Sequence, residues 1–135
     1  MMPEVSHALP IRVYYEDTDF SGVVYHASYL RFLERGRTEL LRDLGVHQAA
    51  LHGDAVALAF AVRRMTIDWL KPARMDDMVT VETRISAIKG ASLMLLQRIL
   101  RGEELLLTAE VLVVAVSGGK PARLPAGLKE RLGQS

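Results

Sequence analysis

Tyr14-Tyr15-Glu16-Asp17-Thr18-Asp19-Phe20-Ser21-Gly22-Val23-Val24-Tyr25-His26 joins a strand-like run to a long helical one, and its reading decides the fold. Ahead of the junction, residues 11–15 have the β-branched and aromatic character of a short strand. Behind it, apolar residues recur at helical spacing from His26 or Ala27 as far as Leu44. Leu30, Leu33, Leu40, Leu41 and Leu44 fall near one face, with Tyr25, Tyr29, Phe32 and Gly36 in an adjoining stripe. So wide an apolar arc suits a helix largely wrapped by a sheet. Gly45 is a natural C-terminal cap, and residues 46–51 fit one further helical turn.

The remainder reads as strands in succession. Residues 55–68 form an extended run with Pro72 marking its end. Over residues 78–87, Val79, Val81 and Ile85 alternate with Thr80, Glu82 and Arg84. Lys89-Gly90-Ala91 is a turn, residues 92–100 a strand, Arg101-Gly102-Glu103 a second turn, and residues 105–116 the last long strand, stopped by Gly118-Gly119. Residues 128–132 have the pattern of a weak helix. One dominant helix followed by consecutive hairpins is an α+β layout with an antiparallel sheet, and 135 residues suit a single domain. Two runs, residues 55–62 and 111–116, are apolar at consecutive positions. Such strands need cover on both faces, whereas one helix covers only one, so self-association is expected.

Composition removes several classes of function. With no cysteine, disulfide scaffolds, thiolate metal sites and cysteine nucleophiles are excluded. A net charge of +1, with Lys and Arg scattered, offers no broad attraction to nucleic acid or an anionic membrane. The first residues lack the pattern of a signal peptide, and the longest apolar run is far short of the roughly 20 residues of a spanning helix. A soluble cytoplasmic protein is expected.

The chemistry concentrates at the opening junction. The first N–H groups of a helix carry the positive end of its dipole and lack intrahelical acceptors. Asp19 stands seven residues before His26, and a turn at Gly22 can return its carboxylate to that end of the helix. A carboxylate held there stays ionised and is available as base or nucleophile, while the N–H groups can hold the oxyanion of an attacked carbonyl. Spacing alone equally allows Asp19 to be an N-cap. His26 reads as a general acid or base, a donor to the carbonyl, or an ordinary helix-start residue. A calcium loop opening at Asp17 would need a closing glutamate at position 28, which is Ser28. His47 and His52 do not pair with His26 at a metal-ligand spacing, and no serine lies in a nucleophile elbow. Glu34 and Glu39, among Arg31, Arg35, Arg37 and Arg42, fit ion pairing along the helix.

These residues carry a family resemblance. Residues 12–19 (RVYYEDTD), 22–29 (GVVYHASY) and 34–39 (ERGRTE) closely resemble the Tol–Pal-associated, YbgC-like acyl-CoA thioesterases of the 4-hydroxybenzoyl-CoA thioesterase family. Further likeness lies at Lys71-Pro72-Ala73-Arg74 with Asp76-Asp77, at Gln97-Arg98-Ile99 and over residues 109–114, so it spans nearly the whole chain. The resemblance implies a hotdog fold, a long helix wrapped by an antiparallel sheet, dimerised edge to edge and often paired again into a homotetramer. It implies hydrolysis of acyl-CoA thioesters in a cleft between subunits, with no metal and no cofactor beyond the CoA of the substrate. By motif position the catalytic aspartate falls on Asp19, the N–H that polarises the carbonyl on His26, whose side chain is also implicated, and a further implicated tyrosine on Tyr15. Of the basic cluster that grips CoA phosphates in the benzoyl-CoA branch only Lys89 is kept, which leaves Lys71, Arg74 and Arg98 as the other candidates. Phe20-Ser21 stands where small residues or proline are usual. A thioesterase acting on acyl carrier protein and a non-catalytic hotdog binding module are the alternatives.

Overall fold

The computed structural model describes residues 6–43 and 59–124. Among them one helix, α1 (His26–Asp43), packs against an antiparallel sheet. The strands are β1 (Ser6–Arg12), β2 (Ala59–Trp69), β3 (Met78–Lys89), β4 (Ser92–Arg101), β5 (Glu104–Ser117) and the short β6 (Lys120–Pro121). They run in the order β1-β3-β4-β5-β2, with β6 paired to β5. Gly90 and Gly102, both at positive φ, turn the two central hairpins where the sequence indicated.

The first strand lies earlier than residues 11–15. His7, Leu9 and Ile11 alternate inward opposite Thr83, Val81 and Val79, and Pro10 is tolerated because β1 is an edge strand. Past Arg12 the chain leaves the ladder and closes one 3₁₀ turn over Tyr15–Asp17. β6 was not expected, because two residues, one of them proline, carry no alternation to read. The expected Gly45 cap, the helical turns at 46–51 and 128–132, and the start of the 55–68 strand lie outside the described residues.

Register explains the core. Leu9, Val81, Ile99, Leu107 and Trp69 form a row crossing five strands on the face toward α1. Phe32, Leu33 and Leu40 of the helix are almost wholly buried there. Each contributes on the order of 1.5–3 kcal/mol. Gly36 sits where the helix comes closest to the sheet: a Cβ would lie 2.6 Å from Val81 Cγ1 and 2.8 Å from Thr83 Oγ1. Close contact, not turning, accounts for a glycine in mid-helix. No helix among the described residues is long and apolar enough to cross a membrane.

Candidate active site

The segment between the 3₁₀ turn and α1 folds into a tight hairpin. Thr18 bridges Val24, the Asp19 N–H donates to Val23 O (3.0 Å), and the Gly22 N–H donates to Asp19 O (3.0 Å). Gly22 has φ +88°, which a side chain rarely tolerates, so the turn needs glycine. Within it the Asp19 carboxylate accepts the Ser21 N–H (2.8 Å) and the Ser21 hydroxyl. The Ser21 hydroxyl foremost, then its N–H, and more weakly the nearby His26, hold the Asp19 carboxyl below its ordinary value. Asp19 therefore bonds within its own turn and does not cap α1. Its neighbour Asp17 is structural: buried, it accepts the Tyr14 N–H (2.9 Å) and its carbonyl accepts the Tyr25 N–H (2.9 Å).

His26 is the first residue of α1. Tyr25 O accepts the Ser28 N–H (2.9 Å), and the N–H groups of His26 and Ala27 have no acceptor among the described residues. The His26 ring meets Trp69 edge-on at 4.8 Å, and Trp69 meets Tyr29 at 5.4 Å. Tyr29 Oη accepts the Ala73 N–H (2.8 Å), while Ala73 O accepts the Val24 N–H (2.9 Å). One residue, Ala73, thus ties the helix to the Asp19 hairpin. Burial pushes the Tyr29 phenol up in pKa, so it stays a neutral hydroxyl. Trp69 was missed from sequence, although the chain's single tryptophan on the inward phase of Met65 and Ile67, just before Pro72, was a usable signal.

Asp19 is exposed on the isolated chain, and hollows of about 830, 440 and 230 Å³ on the described surface are not lined by it. Tyr15 is 80 % exposed and belongs to the 3₁₀ turn.

The four basic candidates are dispersed. Arg74 is nearest the hairpin, its backbone bridged to Val23. Lys71 is paired with Glu104 at 3.1 Å. Arg98 alternates with the inward Gln97 and Ile99, so it lies on the face away from α1, bonded to Glu82. Lys89 ends the twelve-residue β3, about 36 Å from its Met78 end. Arg101 bridges Asp77 and Glu104 at 2.6 Å each and so anchors the loop of Lys71 and Arg74 to the β4–β5 hairpin. Burial tends to raise the Asp77 carboxyl, but the Arg74 N–H and the Arg101 guanidinium outweigh it and keep it low. No cluster of three or more metal-ligating side chains occurs among the described residues.

The profile of the thioesterase-like superfamily matches residues 13–132. An acyl-CoA thioester hydrolase, YbgC, of Escherichia coli O6:H1 is 52% identical over 122 residues, 88% of this chain and 90% of that protein. The crystal structure of a probable thioesterase from Bartonella henselae is 48% identical, with a TM-score of 0.86 over 89% of this chain and 99% of its own. A Thermus thermophilus thioesterase solved with coenzyme A and zinc is 26% identical, with a TM-score of 0.81 over 97% of this chain and 92% of its own. The helix on an antiparallel sheet is the hotdog fold these structures share.

Proposed function

We propose that this chain, which belongs to the thioesterase-like superfamily, hydrolyses acyl-CoA thioesters to a free acid and CoA. The observation that carries the reading is the ionised Asp19 beside His26, at the helix end whose first N–H groups lack acceptors. The thioester carbonyl lies over that end, and the His26 N–H polarises it as negative charge develops on oxygen. Asp19 then attacks the carbonyl carbon, forming an anhydride that water opens, or takes a proton from a water that attacks in its place. In either course the C–S bond breaks and the CoA sulfur leaves as thiolate, to be protonated from solvent. The His26 side chain and Tyr15 orient groups around the centre.

The exposure of Asp19 supports a site completed by a second copy of the chain, as a homodimer or homotetramer, which would exclude water from the carboxylate. Arg74 and Lys71 are the phosphate-binding candidates beside the hairpin. Lys89 and Arg98, remote from it on one chain, would serve from a second copy. A cytoplasmic location belongs to the same proposal.

Asp19→Asn tests the assignment. It should lower kcat/KM for acyl-CoA by about 10²-fold or more, the usual scale for losing a positioned acid–base group, with sedimentation and circular dichroism unchanged. Hydrolysis at the parental rate by the folded variant would refute it.

A further inference from the structure

The rings of His26, Trp69, Tyr29 and Phe32 meet one after another, from the exposed start of α1 down to the core. Their centroids lie 4.8 Å apart for His26–Trp69, 5.4 Å for Trp69–Tyr29 and 6.1 Å for Tyr29–Phe32, each pair edge-on. The two ends of this run differ in what holds them. Phe32 and Tyr29 are buried, and Tyr29 Oη accepts the Ala73 N–H. His26 is exposed, and no hydrogen bond to its side chain occurs among the described residues. Tyr25 is the other ring near it, at a looser 6.3 Å. An unbonded side chain at the surface samples several staggered wells about χ1. The edge-on contact with Trp69 therefore selects the direction of the imidazole.

Trp69 is placed firmly enough to do so. It ends β2 opposite Leu107 of β5. Just beyond it, the Leu70 and Lys71 N–H groups both donate to Leu106 O at 3.0 Å, which fixes the chain where it leaves the strand. The segment from Trp69 to Ala73 brackets Tyr29, with an indole ring at one end and a peptide N–H at the other. On α1, His26 and Tyr29 are three residues apart and so neighbours on the helix surface, and Trp69 touches both. Trp69 is itself 46 % exposed, so removing the indole frees the histidine without opening the core. The direction of the imidazole bears on the chemistry, because His26 is close enough to Asp19 to help keep its carboxyl low.

Resting on the proposed hydrolysis at Asp19, we infer that Trp69 is a positioning residue for that reaction. It acts through the His26 ring, which it holds beside Asp19, and touches no reacting atom itself. Its loss then falls on kcat and leaves KM nearly unchanged.

The test is a double-mutant cycle on hydrolysis of the best substrate in a series of saturated acyl-CoAs. Trp69→Leu should lower kcat about 3- to 10-fold, the scale of one aromatic pair, with KM within about two-fold of the parent. Trp69→Phe keeps a ring face and should recover most of that loss. His26→Asn retains the backbone N–H but not the imidazole, and on that background Trp69→Leu should change kcat by less than about two-fold. Lost packing or a lost subunit contact would instead lower kcat equally on both backgrounds. Proton NMR of the folded parent should also show the His26 ring resonances displaced by the indole ring current. An unchanged kcat in Trp69→Leu, equal losses on the two backgrounds, an effect confined to KM, or His26 resonances at the unstacked position would each overturn the inference while leaving hydrolysis at Asp19 in place. A parent that hydrolyses no acyl-CoA is a different result, and would remove the proposed function and this role with it.

Discussion

Ser21 shapes the proposed chemistry as much as Asp19 does. Two donors from one residue keep the carboxylate ionised, so activity that needs that ionised form persists to lower pH than an ordinary aspartate allows. The sign is fixed: a depressed carboxyl is protonated only as pH falls through the lowered value. Ser21→Ala removes the hydroxyl, the largest single cause, and should move the acid limb of the pH profile of kcat/KM upward, toward the ordinary aspartate range. An acid limb that stays in place would show that Asp19 is not the group titrating. The nearness of Asp19 to His26 was legible because their spacing around a glycine turn is local. The hold of Ser21 was not read, since a side chain that reaches back two residues leaves no periodic trace.

Among the elements, α1 depends on one missing methyl group. A glycine within a helix costs about 1 kcal/mol relative to alanine, so propensity alone favours Gly36→Ala. Packing reverses that. The new Cβ would fall inside the contact distance of Val81 and Thr83, and neither is the far end of a flexible chain. We expect Gly36→Ala to destabilise by about 1–3 kcal/mol, lowering the thermal midpoint by several degrees, as overpacking does. A variant as stable as the parent would mean that the helix can shift away from β3 at little cost. The central hairpins were readable because Gly90 and Gly102 punctuate clean alternation. β1 was misplaced because His7 and Pro10 blur its alternation, and only pairing with β3 makes it a strand.

At the level of the whole molecule, β2 is a sheet edge, paired with β5 on one side and with no strand on its other side among the described residues. Large apolar side chains are exposed around the hairpin and the adjoining end of β2: Phe20 at 106 %, Tyr25 at 55 %, Trp69 at 46 % and Leu70 at 52 %. An open edge beside such surface invites pairing with a second copy. Sedimentation should give two or four times the 15.0 kDa of one chain. A particle of single-chain mass that still hydrolyses acyl-CoA would sink the shared-site reading.

Periodicity and turn chemistry in the chain alone determined that one long helix precedes a run of antiparallel strands, and that a glycine turn sets Asp19 close ahead of the helix start. Those are local facts, written in backbone preference and in which residues share a face. Only the tertiary structure decided which distant residues touch: Tyr29 with Ala73, 44 positions apart, Arg37 with Gln97, 60 apart, and Trp69 against His26. It also decided that α1 leans on β3 and leaves a gap at β2. The physical reason is that alternation tells a side chain to face inward, whereas its partner there depends on register and on how closely two surfaces can approach.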